Sequence, residues 1–298
     1  MSFLETLING ISLGSVYAII ALGYTMVYGI AKMLNFAHGD VIMVGGFACF
    51  FMTSSSALDL HPALGVLVAV VVCTALGILI ERMAYKPLRQ APSLAVLITA
   101  IGVSYFLQNG MLLLLMKALK RSQKVSFPKL FGDKSFNFGE ITISVTTIVT
   151  IAACVVIMLA LTWFTSRTKM GKAMRACSED KAAAQLMGIN VNTTISVTFA
   201  IGSALAAIAG VLMCTAYPNL EPTTGAMPGI KAFTAAVFGG IGSIPGALLG
   251  GVLLGVIEIV AKSSPLDALA DAIVFAVLII VLLVKPTGLL GKKIREKV

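Results

Sequence analysis

Three polar side chains, Asn35, His38 and Asp40, open an otherwise apolar run and are the first candidates for chemistry. His38 could sense pH, but a lone histidine at the boundary of an apolar segment is more often a structural hydrogen-bonding residue. Asp40 either pairs with Lys32 or lies at a helix N-terminus, where the helix dipole favours negative charge. We therefore take the three polar residues as candidate positions along a pathway through the protein.

A second group of candidates surrounds an interruption in the apolar stretch 229–261. As one helix this stretch would be about 50 Å long, more than a bilayer core requires. In its middle, Gly239-Gly-Ile-Gly-Ser-Ile-Pro-Gly246 predicts a break, because proline removes a backbone donor and glycine tolerates the bent conformation. We predict two segments, the first too short to span comfortably, that are buried in protein or line a cavity. The candidate positions here are Lys231, Gly239, Gly240, Ser243, Pro245 and Glu258.

The two charged residues of this group, Lys231 and Glu258, have two interpretations. Each could extend to the membrane surface and leave only its aliphatic part among apolar residues. Alternatively they face the pathway, where charged groups inside a membrane are usually functional.

A third stretch, Arg175-Ala-Cys-Ser-Glu-Asp-Lys-Ala-Ala-Ala-Gln-Leu-Met-Gly188, predicts a short helix of about nine residues in a basic loop. Ser178 is the expected N-cap, Glu179 and Asp180 place negative charge in the first turn, and Gly188 suits the C-terminal cap. A small apolar strip on one face consists of Ala183, Leu186 and Met187. The helix either docks into a cytoplasmic partner or lies as an amphipathic helix on the membrane surface. The residues alone leave both interpretations open.

The sequence contains no recognisable motif for catalysis or nucleotide binding. The phosphate-binding pattern G-x-x-x-x-G-K-[ST] is absent, since Gly171-Lys172 is followed by Ala173 and Gly291-Lys292 by Lys293. The metalloprotease and hydrolase patterns are absent too, and the five cysteines lack a paired spacing. We expect no enzymatic activity, no metal site and no cofactor bound by this chain.

The elements that must position these residues are membrane helices. Of the 298 residues, 58% are hydrophobic and 12% are charged, whereas a soluble domain carries about 25% charged residues. Six charge-poor runs can each cross a bilayer core, which needs roughly 20 helical residues. They cover residues 6–31, 60–80, 88–116, 141–166, 193–220 and 232–257, and two further plausible spans cover 33–58 and 268–284. The sequence thus predicts an all-α, polytopic bundle of about 8–10 spans, with about nine crossings.

The net charge of +9 indicates membrane orientation rather than nucleic-acid binding, because the basic residues lie in short loops beside apolar runs. The connectors 81–92 and 166–193 are basic, so the positive-inside rule places both in the cytoplasm. Span parity then puts the loop 117–140 outside, although it also carries six basic residues. We predict one transmembrane domain, 1–298, with its N-terminus outside and a cytoplasmic tail over 286–298.

An internal repeat relates the two halves of the sequence. Gly14-Ser15-x-x-Ala18-x-x-Ala21 recurs as Gly202-Ser203-x-x-Ala206-x-x-Ala209, and small residues at this spacing let helices approach closely. An interrupted stretch with a Gly-Gly pair follows each copy, 35–46 with Gly45-Gly46 and 225–246 with Gly239-Gly240. Because five spans separate the copies, the halves would run in opposite directions. Such inverted repeats with broken helices are typical of transporters.

Four stretches resemble one family of permeases and are spread over nearly the whole chain. They are Gly14-Ser-Val-Tyr-Ala-Ile-Ile-Ala-Leu-Gly-Tyr-Thr-Met-Val-Tyr-Gly29, Asn35-Phe-Ala-His-Gly-Asp40, Lys231-Ala-Phe-Thr-Ala-Ala-Val-Phe-Gly-Gly-Ile-Gly-Ser-Ile-Pro-Gly-Ala247 and Lys285-Pro-Thr-Gly-Leu-Leu-Gly291. On these motifs the chain resembles the H-type permease of the bacterial leucine/isoleucine/valine ABC importer. The resemblance is weaker over 117–140, and the family more often has Glu where this chain has Asp40.

This resemblance implies an ABC importer permease fold in the bacterial inner membrane and import of branched-chain amino acids by alternating access. The implied partners are an M-type permease, two cytoplasmic ATPases that hold ATP and Mg, and a periplasmic amino-acid-binding protein. The resemblance also implies that residues 179–188 form the coupling helix seated in an ATPase groove. Two alternatives stay open: a permease for urea or short amides, and an ion-driven secondary transporter.

Overall fold

The computed structural model describes residues 3–54, 58–118, 123–132, 135–138, 141–265 and 267–291, and these residues are mostly helical. The α-helices are α1 (Phe3–Ala31), α2 (His38–Thr53), α3 (Pro62–Ile80), α4 (Ser93–Ala118), α5 (Val145–Arg167), α6 (Lys169–Glu179), α7 (Lys181–Leu186), α8 (Val191–Ala216), α9 (Ala226–Gly239), α10 (Ile244–Lys262) and α11 (Ala270–Val284). A π-helical turn (Glu81–Tyr85) and a 3-10 turn (Lys86–Leu88) follow α3, and a 3-10 turn (Asp267–Leu269) precedes α11. The predicted all-α, polytopic architecture is confirmed.

Four short strands lie outside the helices. They are β1 (Val125–Ser126), β2 (Ser135–Phe138), β3 (Ile141–Ser144) and β4 (Asn219–Leu220). β1 pairs antiparallel with β4, and β2 pairs antiparallel with β3.

Within the described residues, seven helices are long and apolar enough to cross a membrane, namely α1, α3 with the turns after it, α4, α5, α8, α10 and α11 with the turn before it. The apolar helices α2 and α9 are shorter, with 16 and 14 residues, or about 24 and 21 Å. Since a bilayer core is about 30 Å thick, non-helical segments must complete these two passes. The seven long helices and these two shorter ones together number nine, and the count of about nine crossings stays a prediction.

The predicted break in the long apolar stretch is confirmed. α9 ends at Gly239 and α10 begins at Ile244, with Gly240 at φ 105° and Gly242 at φ 93° between them. The Ser243 hydroxyl accepts the Gly246 N–H at 3.2 Å and caps α10. Proline at the second position of α10, Pro245, is tolerated because the first turn of a helix leaves its N–H groups unpaired.

The corresponding interruption in the first half is shorter than predicted. Only residues 32–37 are non-helical, and α2 continues without a break through Gly45 and Gly46. A Cβ on Gly45 would lie 2.7 Å from the Cα of Ala207, and one on Gly46 would lie 3.0 Å from the sulfur of Cys214. This Gly-Gly pair therefore permits close packing of α2 on α8, and it does not bend the chain.

The packing of the helices follows the internal repeat. α1 packs on α9 and α10 of the second half, whereas α8 packs on α2 and α3 of the first half. Gly14 in the first repeat motif contacts Gly255 of α10, where an added Cβ would lie 2.2 Å from the Gly14 Cα. Ser203 in the second motif lies in the same way against Gly77 of α3. The small residues of the repeat thus form the closest helix contacts between the halves.

Hydrogen bonds and packing contacts place different connecting segments at the two ends of α1. At its N-terminal end, Glu5 accepts the Thr142 N–H at 3.2 Å. At its C-terminal end, the Ala31 carbonyl accepts from Lys181, and Gly29 packs against Gly242. The periplasmic position of loop 117–140 and the cytoplasmic position of the tail stay predictions, and the tail residues 292–298 lie outside the described residues.

Replacing Gly240 by alanine should destabilise the protein more than the same change at Gly242. Both glycines have positive φ, so alanine should cost about 1 to 3 kcal/mol at either position. A Cβ on Gly240 would also lie 2.3 Å from the Gly291 nitrogen, whereas a Cβ on Gly242 meets nothing within 4 Å. Thermal unfolding of the two variants in detergent measures the difference. Equal melting temperatures would contradict the tight contact with the tail.

Candidate functional site

The N-termini of the two short helices meet inside the protein at a place that we call the central junction, formed by His38, Gly39, Gly225 and Gly229. A Cβ on Gly225 would lie 1.8 Å from the Gly39 carbonyl oxygen, so the backbones touch here. The His38 ring lies against Gly23, eight residues before the end of α1. At 1.5 Å per residue this places the junction about 12 Å from that end, within the depth of the membrane.

Aromatic rings surround the central junction. The ring centroids of Tyr24 and His38 are 4.5 Å apart, and Phe233 lies 5.6 Å from Tyr24 and 5.8 Å from Phe36. His38 is 1% exposed, and its Nε2 has no hydrogen-bond partner within the described residues. Enclosure in this aromatic cluster favours the structural interpretation of His38 over a role as a pH sensor.

Asp40 connects α2 to α4. It lies in the first turn of α2, where the dipole favours its charge, and its carboxylate accepts the Gln108 amide N–H at 2.8 Å. Of the two arrangements predicted for Asp40, the structure therefore shows the one in which it lies at a helix N-terminus. The sequence did not reveal Gln108, because 68 residues separate it from Asp40.

Lys231 and Glu258 are the buried ion pair of a charge cluster that also contains Tyr17, Lys262 and Asp271. Lys231 lies 2.8 Å from Glu258 and 2.6 Å from Asp271, and Lys262 lies 2.7 Å from Glu258. The Tyr17 hydroxyl donates to the second carboxylate oxygen of Glu258 at 2.8 Å. With Lys231 5% exposed and Glu258 1% exposed, neither side chain extends to the membrane surface, so that interpretation is wrong. The cluster joins α1, α9, α10 and α11.

A second buried carboxylate, Glu81, lies at the opposite end of the bundle, directly after α3. It accepts a hydrogen bond from the Ser196 hydroxyl at 2.7 Å and pairs with Arg89, which also donates to Asn192. The group therefore ties the turns after α3 to the start of α8. Sequence reasoning missed it, although an acid that immediately follows a charge-free run signals a need for a buried partner.

Asn35, a candidate pathway residue, is held by a side chain from the same region. The Tyr85 hydroxyl, in the π-helical turn, donates to the Asn35 side-chain oxygen at 2.9 Å, and both residues are buried. π-helical turns are rare and are frequently found at functional sites. Asn35 thus fixes the non-helical segment before α2 to the end of α3.

The structure corrects the boundaries of the predicted coupling helix. Two helices, α6 and α7, replace the single helix, and Asp180 is the N-cap of α7, since its carboxylate accepts the N–H groups of Ala182 and Ala183 at 2.8 and 3.0 Å. Ser178 is not an N-cap: it lies inside α6 and donates to the Arg175 carbonyl at 2.7 Å. Glu179 is the last residue of α6, so α7 has six residues rather than about nine.

The predicted end of the helix and its apolar strip are confirmed. Gly188 has φ 81°, the left-handed conformation expected after a helix C-terminus. Ala183 is exposed, and Leu186 and Met187 are 89% and 82% exposed. Ala184, on the other face, is buried in a small apolar cluster with Met26, Ile30, Met174 and Cys177. The helix is therefore seated on the end of α1 and presents two large apolar side chains outward.

Lys181, the first residue of α7, binds the end of α1 directly. Its amine donates to the Ala31 carbonyl oxygen at 2.7 Å. Partial burial, with the positive charges of Arg89 and Lys32 nearby, lowers the pKa of this amine. The bond satisfies one of the carbonyl groups that a helix end leaves without a backbone partner.

The tail motif Lys285-Pro-Thr-Gly-Leu-Leu-Gly291 caps the broken helix. The backbone N–H groups of Leu289 and Leu290 donate to the carbonyls of Phe238 and Gly239, both at 2.9 Å. These two carbonyls belong to the last turn of α9, where no further helical turn can accept them. The described part of the tail therefore stabilises the break between α9 and α10.

Nothing in the described residues suggests a metal centre. No group of three or more His, Cys, Asp or Glu side chains there could hold a metal ion, and the five cysteines are buried thiols. The geometry instead shows two short helices, α2 and α9, whose N-termini meet inside the protein, and polar contacts that join the neighbouring segment 31–35 to α7 and to the turn after α3.

Sequence comparisons agree with this architecture. A family model described as "Branched-chain amino acid transport system / permease component" matches residues 6–282. The high-affinity branched-chain amino acid transport system permease proteins LivH of Escherichia coli (strain K12) and BraD of Pseudomonas aeruginosa are each 45% identical to the chain, over 99% of it and 98% of the relative. The ribose import permease protein RbsC of Haemophilus influenzae is 26% identical over 93% of the chain and 84% of its own length. This chain is therefore a multi-pass membrane protein that belongs to the family of branched-chain amino acid transport system permease components.

Proposed function

We propose that the chain is the membrane-spanning permease subunit of an ATP-driven importer that carries leucine, isoleucine and valine across the bacterial inner membrane. The observation that carries the proposal is the near full-length identity of 45% to permeases with that named substrate class. The short helices α2 and α9, which meet at the central junction, support a pathway that opens to alternate sides of the membrane. Broken helices near the middle of the membrane are typical of transporters.

The importer needs partners that supply energy and capture the substrate. ATP and Mg are bound by two cytoplasmic ATPase subunits, since this chain has no phosphate-binding loop. An M-type permease completes the membrane part, and a periplasmic amino-acid-binding protein delivers the substrate. In this arrangement the connectors 81–92 and 166–193 and the tail 286–298 face the cytoplasm, and the N-terminus lies outside.

The substrate class is tested by competition. In proteoliposomes with the complete complex and ATP inside, unlabelled isoleucine and valine should reduce uptake of labelled leucine, whereas urea and acetamide should not. The ribose-named relative shows that an overall resemblance extends across substrate classes, so this comparison is needed. Competition by urea or acetamide alone would replace the amino-acid assignment with the amide alternative.

Removing the exposed apolar residues of α7 should separate the chain from its ATPases. We expect the double change Leu186→Ser and Met187→Ser to reduce co-purified ATPase at least about tenfold, because burying a leucine or methionine side chain contributes about 1.5 to 3 kcal/mol. Affinity purification of the tagged permease from membranes measures the ratio. The control is Met83→Ser, which removes an exposed methionine from the connector 81–92. Unchanged co-purification in the double variant would contradict docking through α7.

A further inference from the structure

We propose that the six residues 32–37, the α1–α2 strap, transmit movement of the coupling helix to the central junction, with Lys181 and Tyr85 as its positioning residues. The inference rests on the proposed function, since it concerns how ATPase movement reaches the pathway. It adds a specific mechanical element that neither the family resemblance nor the fold alone identifies.

The strap is fixed to α7 at its first end. Ala31, directly before it, accepts the Lys181 amine at 2.7 Å. Packing reinforces this bond, because Ala184 of α7 is buried with Met26 and Ile30 of α1. A displacement of α7 therefore displaces the end of α1 as well, since packed interiors transmit strain instead of absorbing it.

The strap is fixed a second time in its middle. The Asn35 side chain accepts the Tyr85 hydroxyl at 2.9 Å, and burial makes loss of this bond costly. Tyr85 belongs to the turn that Glu81 joins to Ser196 near the start of α8. Both attachments of the strap therefore lead to the segment around α7, one directly and the other through α8.

The strap ends at the central junction, and only a short segment separates its middle attachment from that junction. Between Asn35 and His38 there are two residues, and the His38 N–H donates to the Asn35 carbonyl at 3.2 Å. His38 is the first residue of α2, and Gly39 follows it in contact with Gly225 of the facing loop. A shift of Asn35 must therefore move the N-terminus of α2 relative to that of α9.

The charge cluster around Glu258 does not offer an equivalent route. It joins α1, α9, α10 and α11 through Tyr17, Lys231, Lys262 and Asp271. These contacts lie toward the end of α10 and involve none of the residues of α6 or α7. The strap, in contrast, is joined to the coupling helix through Ala31 at one end and to the junction through His38 at the other.

The proposal is tested in the reconstituted complex with Lys181→Met, Tyr85→Phe and the double variant. Each single change should leave ATP hydrolysis near wild type and lower leucine transported per ATP by up to about tenfold, the effect of losing one hydrogen bond on an equilibrium. Because both act through one strap, the double variant should be no worse than the more impaired single variant. Lys181→Arg, which keeps a donor, should recover most of the ratio, and Lys172→Met, at an exposed position of α6, is the control.

A second measurement separates failure of the strap from failure of the proposed function. Hydrogen exchange of the backbone amides of residues 32–40 should be faster in Lys181→Met than in wild type, with or without transport. If wild type shows no ATP-dependent uptake, the proposed function fails and the exchange result alone decides on the strap. The proposal would be overturned if both single variants kept the wild-type ratio of leucine transported per ATP, or if the two losses multiplied in the double variant. Unchanged amide exchange of residues 32–40 in Lys181→Met would also overturn it.

Discussion

Glu258→Ala should destabilise the isolated permease by about 3 kcal/mol, the lower end of the cost of removing one partner of a buried ion pair. Lys231 would keep only Asp271, which is half exposed, while the Tyr17 hydroxyl would lose its acceptor. Four helices meet at this cluster, so the loss should lower the melting temperature of the whole bundle. Thermal unfolding in detergent, followed by size-exclusion chromatography, measures the change.

Two controls identify the cause of this effect. Glu258→Gln keeps side-chain hydrogen bonding but removes the charge, so it should be less destabilising than alanine. Lys262→Met removes a partner that is 44% exposed at its side chain, and exposed ion pairs contribute only about 0 to 1 kcal/mol. A melting temperature for Glu258→Ala equal to that of Lys262→Met would show that the buried pair with Lys231 does not stabilise the fold.

Gly225→Ala should prevent the N-termini of the short helices α2 and α9 from meeting. The added Cβ would lie 1.8 Å from the Gly39 carbonyl oxygen and 2.7 Å from its carbon, and backbone atoms cannot move aside as a flexible side chain can. We expect a loss of about 3 kcal/mol, the upper range for overpacked sites, and loss of leucine uptake by the complex. Unfolding and uptake are measured on the same preparation.

Gly102→Ala is the matched control for this change. Gly102 is also a glycine of a membrane helix, but a Cβ there meets nothing within 4 Å. Alanine should leave stability unchanged or raise it by up to about 1 kcal/mol, because alanine favours helix more than glycine does. If Gly225→Ala were as stable and as active as Gly102→Ala, the N-termini of α2 and α9 would not meet as described.

The sequence predicts the architecture well because its strongest signals are local. The apolar runs define the helices, and Gly239 to Pro245 is a strong local signal for the break between α9 and α10. Gly188 is likewise a local signal, since the left-handed backbone that often follows a helix end favours glycine. The pair Gly45-Gly46 was misleading, because glycine serves close packing as well as bending, and only the position of α8 distinguishes the two uses.

The polar links were not predictable from the sequence because their partners are distant along the chain. Tyr17 and Glu258 are 241 residues apart, and Lys181 binds the carbonyl of a residue 150 positions earlier. The cap of α7 was misplaced because Ser178 and Asp180 are both good N-cap residues. Only the fold shows that Asp180 receives two backbone N–H groups while Ser178 lies inside the preceding helix.

ATP-driven accumulation of leucine is the most direct test of the account as a whole. Proteoliposomes should contain this chain, the M-type permease and the two ATPases, with the binding protein and labelled leucine outside. With ATP inside, leucine should accumulate against its gradient, and omitting either the ATPases or this chain should abolish the accumulation. Accumulation by this chain alone, driven by an ion gradient without ATPases, would contradict the assignment as an ABC importer permease.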